Sequence, residues 1–214
     1  MQANNPSAKA DFSDFISQTK TDALVDENFS DWHRGIPFYG FWAIIIRNKQ
    51  WLAFIQETQA ELSHYFLPGY ARQAHITLNA CGLLDERHFS KAKLEAQCAA
   101  LDKKALSHFP ISLGSVNSFS TAAYISIADP QGHLDQINTV LQKIAMDSAP
   151  LKYTAHLTLG LYRDHFDTRE LTSKLSRITV PTLPPIQVTE IQFCQYQTQS
   201  IQGKIQALFS MPLD

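Results

Sequence analysis

The chain has 214 residues, of which 44% are hydrophobic and 18% are charged, and its formal net charge is −2. This balance is ordinary for a globular protein with one large domain or two small lobes. A charge so close to neutral excludes a protein that coats long nucleic acid by charge alone, although it is compatible with a ligand that carries few phosphates.

Three further features of the sequence bear on its location. Its three cysteines are widely spaced and form no Cys-x-x-Cys pair, which indicates reduced thiols. No stretch has the length and apolar character of a transmembrane helix, and the polar N-terminus shows no secretion signal. We therefore expect a cytoplasmic protein that does not interact with a membrane.

The predicted elements alternate between strands and helices after a polar N-terminal segment. Residues 1–30 predict a peripheral arm, and residues 31–214 predict a single domain. Hydrophobic spacing and turn residues predict strands at 38–46, 74–78, 110–116, 121–127, 154–162, 186–198 and 204–211, and helices at 50–66, 85–105, 129–144 and 168–177.

This order of elements contains a repeat. A strand, a helix, a strand with a histidine, a helix and a further strand occur twice, and the two histidines, His75 and His156, lie 81 positions apart (156 minus 75). Two copies of such a unit are too few and too long for a solenoid. The repeat predicts an α+β protein with two lobes related by a pseudo-twofold axis, in which two antiparallel-rich sheets line a central cleft and the helices lie outside.

The two histidine strands carry matching tetrads. One reads Ala-His-Ile-Thr-Leu and the other Ala-His-Leu-Thr-Leu, and a random chain of this composition would hold roughly 0.1 such His-apolar-Thr-apolar tetrads. Because side chains alternate along a strand, His75 and Thr77 share one face, as do His156 and Thr158. If the two strands are neighbours, two imidazoles and two hydroxyls face one cleft.

The paired tetrads resemble the signature of the 2H phosphoesterase superfamily, which includes the RNA 2′,3′-cyclic phosphodiesterases, formerly called 2′-5′ RNA ligases. The resemblance extends from about Phe38 to the C-terminus and implies a bilobal 2H phosphoesterase-like fold. It also implies hydrolysis of a 2′,3′-cyclic phosphate or a 2′-5′ linkage, with ligation as the reverse reaction. We expect a monomer that needs no cofactor or metal and takes a nucleotide or a short RNA as substrate.

The chemistry of the four tetrad residues fits this expectation. Near neutral pH one imidazole can be neutral and the other protonated, so one can take a proton from water while the other gives one to the leaving oxygen. We expect His156 to activate water and His75 to protonate the leaving oxygen. The hydroxyls of Thr77 and Thr158 can donate to the non-bridging phosphate oxygens, and the resemblance implies the same roles for all four residues.

Four other residues are secondary candidates for substrate binding. If the strands stay regular, Asn79 and Tyr162 continue the histidine faces, and Tyr162 can stack on a nucleobase or serve as an ordinary rim aromatic. Arg72 and Arg163 flank the tetrads, where they can steer an anionic substrate or remain solvated at the surface.

Three alternatives stay open at this point. The first is another enzyme of the 2H type, which trims RNA ends or acts on a small cyclic nucleotide. The second is a module that binds a nucleotide in the same cleft without turnover, although binding alone does not need two proton-transfer groups. The third is a metal site with two histidines, which neither tetrad supports with a nearby carboxylate.

Overall fold

The computed structural model describes residues 11–24, 32–70, 72–145 and 153–214, so that much of the predicted N-terminal arm lies outside the described residues. Five α-helices are present in these ranges: α1 (Ser13–Ile16), α2 (Lys49–Glu61), α3 (Lys91–Lys104), α4 (His133–Ala145) and α5 (Thr168–Leu175). The eight strands are β1 (Phe38–Ile45), β2 (His75–Leu83), β3 (Phe109–Ser118), β4 (Ala122–Ala128), β5 (His156–Leu161), β6 (Ile186–Val188), β7 (Glu190–Gln197) and β8 (Gln206–Pro212).

All eight strands join one sheet in the order β6-β3-β4-β5-β2-β1-β7-β8, and every neighbouring pair is antiparallel. The predicted α+β class is confirmed, but the predicted division into two sheets is not. The two histidine strands, β2 and β5, pair at the centre and join the halves. The predicted strand at 186–198 is two strands, because β6 pairs with β3 whereas β7 pairs with β1 and β8.

The strand order is symmetric about the central β2–β5 pair. Moving outward, β1 and β4 occupy equivalent places, followed by β7 and β3 and then by β8 and β6. The last strand of each repeat therefore pairs with the other repeat, since β3 adds to β4 and β7 adds to β1. This exchange ties the two halves together and agrees with the repeat in the sequence.

One face of the sheet packs against helices. The apolar residues of the tetrads, Ile76, Leu78, Leu157 and Leu159, are at most 1% exposed and belong to the main hydrophobic core. Helix α4 lies over this face, where Asn138 Nδ2 donates to the carbonyl oxygen of Leu78 at 2.7 Å. None of the helices in the described ranges has the length and apolar character needed to cross a bilayer.

Side-chain caps set where the helices begin. Asn48 accepts hydrogen bonds from the backbone N–H groups of Gln50 and Trp51 and starts α2. The helix predicted from position 85 instead starts at Lys91, because Asp85 caps a separate turn and Ser90 accepts from the backbone of Lys93.

Gln97 connects two helices to the sheet within the core. It is fully buried, its Oε1 accepts from the indole N–H of Trp42 at 2.8 Å, and its Nε2 donates to the carbonyl of Leu141 at 2.9 Å. A buried donor that loses its acceptor costs the free energy of its desolvation. This single amide therefore links β1, α3 and α4.

We expect Gln97→Leu, which nearly preserves side-chain volume, to lower the free energy of unfolding by about 2–3 kcal/mol, because the indole N–H of Trp42 loses its partner. Glu95→Ala on the exposed side of the same helix should change it by less than about 0.5 kcal/mol. Urea denaturation monitored by circular dichroism measures both values. Equal stability of the two variants would contradict this account of the core.

Candidate active site

The register of the central strand pair places the four tetrad side chains on one face. Ile76 pairs with Leu157, and both point into the core. In an antiparallel pair the next residues out are then His75 opposite Thr158, and Thr77 opposite His156. Because neighbouring residues alternate in direction, all four project from the face opposite the core. Each histidine thus lies across from the threonine of the other tetrad.

Both imidazoles are held in the same way by the backbone. His75 Nδ1 lies 2.8 Å from the carbonyl oxygen of Gln73, and His156 Nδ1 lies 2.7 Å from that of Thr154. A carbonyl oxygen can only accept, so Nδ1 carries the proton in each ring. In the neutral tautomer Nε2 is then the basic nitrogen. The two rings are therefore oriented alike, each with Nε2 available for proton transfer.

Burial favours the neutral form of both imidazoles. His75 is only 9% exposed, and burial is the main cause that lowers its pKa to about 4. The nearby positive charges of Arg72 and His156 lower this pKa by smaller amounts. Burial also lowers the pKa of His156, which is half-buried. The carbonyls of Gln73 and Thr154 act in the opposite direction. Burial of both rings therefore works against the protonated ring that the sequence leads us to expect near neutral pH, and it does so more strongly at His75.

The surroundings of the two histidines differ. Phe119 and Tyr124 approach His156 edge-on, with ring centroids 4.9 and 5.4 Å away, and stack on each other at 4.2 Å. On the other side, the ring of Phe41 lies 5.7 Å from His75. Sequence reasoning missed these aromatic residues. Only the strand pairing, such as Tyr124 opposite Thr158, reveals which of them face the site.

Two polar residues that sequence reasoning also missed support the tetrads. The side-chain amide of Gln73 donates to the backbone carbonyl of Ile205 and accepts from the backbone N–H of Ile205, both at 2.9 Å. The backbone carbonyl of Gln73 meanwhile holds the ring of His75. Tyr153 donates its hydroxyl to the carbonyl of Thr77 at 3.0 Å. These bonds fix the backbone on either side of the central strand pair.

The comparison with protein families decides the membership of the chain. The family model described as the 2′-5′ RNA ligase superfamily matches residues 48–199, which is more than half of the sequence. The chain belongs to the 2′-5′ RNA ligase superfamily. The resemblance to the 2H phosphoesterases that the two tetrads carry is thereby confirmed.

Several solved structures share the fold. E. coli LigT in its apo form is 18% identical, with a TM-score of 0.56 over 84% of this chain and 99% of that one. A crystal structure titled phosphoesterase is 19% identical, with a TM-score of 0.56 over 83% and 99%. Usb1 from Kluyveromyces marxianus is 11% identical, with a TM-score of 0.52 over 82% and 98%. No curated protein sequence matches the chain significantly.

Two secondary candidates turn away from the histidine face because each tetrad is followed by a bulge. The β1–β2 register shifts beside Leu78, and Asn79, 3% exposed, lies opposite the core residue Trp42. The β4–β5 register shifts in the same way beside Leu159. The condition under which Asn79 and Tyr162 would continue the histidine faces, that both strands stay regular, is therefore not met.

Tyr162 lies in the hydrophobic core as a result of the second bulge. It is fully buried, its hydroxyl is 2.5 Å from Ser118 Oγ, and its ring contacts Phe66 and Phe166. In this position it cannot stack on a nucleobase in the cleft.

The two candidate arginines have different positions. The guanidinium of Arg72 lies over the ring of Tyr196, 4.2 Å from its centroid, and its charge contributes to the lowered pKa of His75. Arg163 is exposed and contacts His64 at 3.4 Å, outside the tetrad strands. The structure therefore brings Arg72, but not Arg163, close to a catalytic candidate.

Among the residues that the structure describes, no group of three or more His, Cys, Asp or Glu side chains is placed to hold a metal ion. The four tetrad residues instead offer two proton-transfer groups and two neutral hydroxyl donors. Such a set can bind a tetrahedral anion and move protons on both sides of it.

The buried neutral state of His75 predicts how stability depends on pH. The unfolded chain takes up a proton below the ordinary pKa of 6.5, whereas the folded chain does so only near 4. Stability therefore falls as the pH is lowered from about 6.5 to about 4, by up to about 3 kcal/mol from this group. Urea denaturation at pH 7.5 and 4.5 measures the fall.

His75→Gln should reduce this loss of stability, because glutamine does not titrate. His64→Gln, at an exposed position, is the matched control and should lose stability like the wild type. Carboxylates titrate in all three proteins, so the difference between the variants isolates His75. An unchanged pH dependence in His75→Gln would show that the imidazole is not held neutral by burial.

Proposed function

We propose that the chain is a metal-independent phosphodiesterase that hydrolyses 2′,3′-cyclic phosphates, or 2′-5′ linkages, of nucleotides or RNA ends. The observation that supports this most directly is the pairing of Ile76 with Leu157, since it sets two imidazoles and two threonines on one face. Family membership supports a phosphoester as the substrate. A related protein, E. coli LigT, has been crystallised with 3′-AMP, which carries a phosphate of the kind that such a reaction releases.

The proposed reaction is an in-line displacement at phosphorus. The neutral imidazole takes a proton from water through Nε2 while the water oxygen forms a bond to phosphorus. The bond from phosphorus to one ribose oxygen breaks, and the protonated imidazole gives that oxygen its proton. Thr77 and Thr158 donate to the non-bridging oxygens, which carry the charge throughout. The two rings then exchange protonation states with solvent before the next turnover.

The pKa values favour an assignment of roles opposite to the one expected from the sequence. His75 is the more deeply buried ring, and with a pKa of about 4 it remains neutral over most of the useful pH range, as a general base must. His156 is half-buried and better placed to be protonated when an anionic phosphate binds beside it. We therefore propose His75 as the base and His156 as the acid.

Purified protein incubated with the four nucleoside 2′,3′-cyclic monophosphates in EDTA should convert them to a single phosphate isomer. His75→Ala and His156→Ala should each lower kcat by about three orders of magnitude or more, because each removes one proton transfer. Thr77→Val, which keeps the shape of the side chain, should cost about 10- to 1000-fold. Chromatography of the products measures both rate and isomer.

The control is Thr189→Val, a substitution of the same kind at the exposed position between β6 and β7, which should keep full activity. Thermal melts establish that the inactive variants are folded. Tight binding of nucleotide without any turnover would contradict the proposal and favour a binding module. Activity abolished by EDTA would favour a metal-dependent reaction.

The pH dependence of kcat/KM should be a bell with its maximum below pH 6.5. The base must be neutral, which requires a pH above about 4, and the acid must be protonated, which requires a pH below the lowered pKa of His156. The quantity kcat/KM reports the free enzyme, in which both pKa values are lowered. Initial rates between pH 4 and 9 test this, and a maximum above pH 7 would contradict it.

A further inference from the structure

A cavity of about 510 Å³ adjoins the proposed phosphate site. It lies between α2 and the ends of β1 and β2, and it reaches Thr158. Volumes of about 300–1,000 Å³ are typical of sites for small organic ligands. The cavity therefore has room for more of a substrate than the reacting phosphate.

The charge of the cavity favours an anion. Two arginines, Arg47 and Arg72, are among its described lining residues, and these include no carboxylate. Arg47 is exposed and already paired with Glu190 at 2.9 Å. Arg72 is half-buried, its guanidinium is fixed over the ring of Tyr196, and its Nε is a buried donor without a hydrogen-bond partner among the described residues.

A phosphate would satisfy these features together. An unpaired buried donor is costly, and the cost is removed when an oxygen acceptor binds. Guanidinium groups are suited to phosphate because they present several donors in one plane. The Gln73 amide holds the same segment against Ile205 through two hydrogen bonds, so Arg72 lies on a fixed backbone.

We propose that this cavity is a second phosphate subsite, in which Arg72 binds the 5′-phosphate of the nucleotide whose 2′,3′-cyclic phosphate lies between the histidines. The subsite selects the end of an RNA chain over a nucleoside 2′,3′-cyclic monophosphate, because only the former has that second phosphate. The inference rests on the proposed function, since it takes the reacting phosphate to lie at Thr77 and Thr158.

The equivalent position of the other repeat holds a tyrosine instead of an arginine, which gives the site a direction. The repeat places Tyr153 where Arg72 stands, 81 positions later (153 minus 72), and Tyr153 uses its hydroxyl to hold the carbonyl of Thr77. Next to His156 the site presents the rings of Phe119 and Tyr124. The cleft is thus aromatic at both ends, since Phe41 lies beside His75, and Arg72 adds a cation at the His75 end.

The first arm of the test measures binding and requires no turnover. Calorimetry compares adenosine 3′-phosphate with adenosine 3′,5′-bisphosphate on the wild type, Arg72→Gln and Arg72→Lys. The wild type should bind the bisphosphate about 10- to 100-fold more tightly, Arg72→Gln should lose that preference, and Arg72→Lys should recover part of it. Arg87→Gln, which removes the same charge at an exposed position, should keep the preference.

The second arm measures kcat/KM on adenosine 2′,3′-cyclic phosphate with and without a 5′-phosphate. Because Arg72 also affects His75, Arg72→Gln can alter both rates, but a change common to both substrates cancels in their ratio. The ratio should fall by about 10- to 100-fold.

The outcomes separate this inference from the proposed function. The subsite is overturned if the wild type binds both ligands equally well. It is also overturned if Arg72→Gln lowers the affinity for both ligands by the same factor. If the bisphosphate binds through Arg72 but neither cyclic substrate is hydrolysed, the proposed activity fails while the phosphate subsite stands.

Discussion

The antiparallel pairing of β2 with β5 is the interaction on which the remainder of the site depends. Its register is set by Ile76 opposite Leu157, whose side chains fill the core. A slip of one residue would turn the whole histidine face of a strand into the core. The apolar residues of the tetrads therefore determine where the polar ones lie. Strands β1 and β4 flank the central pair, and each of them also pairs with the last strand of the other repeat.

Burial connects stability with chemistry at this pair. The packing that orients His75 also removes it from water, so its neutral form is favoured and its protonation destabilises the fold. A neutral imidazole with its proton on Nδ1 is the form that a general base requires. An anionic phosphate beside the rings would favour the protonated form of an imidazole. In the proposed reaction, binding of the substrate would thus promote protonation of the acid.

The tetrads and the repeat contained enough information to predict the α+β class, the family and the four residues that meet on one face. The bulges beside Leu78 and Leu159 could not be predicted, because they depend on how β1 and β4 pair with the histidine strands. They turn Asn79 and Tyr162 into the core, whereas regular alternation of side chains along each strand would place both in the cleft. The aromatic residues around His156 likewise depend on contacts between distant parts of the chain.

The bulges themselves occur at equivalent positions of the two repeats, since Leu78 and Leu159 are 81 positions apart (159 minus 78), like the histidines. The backbone that presents the imidazoles is therefore common to both halves, as are the carbonyls that hold Nδ1. Differences are confined to the neighbouring side chains, with Arg72 near one histidine and Phe119 near the other. A symmetric backbone accounts for two proton-transfer groups, whereas an asymmetric substrate requires different neighbours at its two ends.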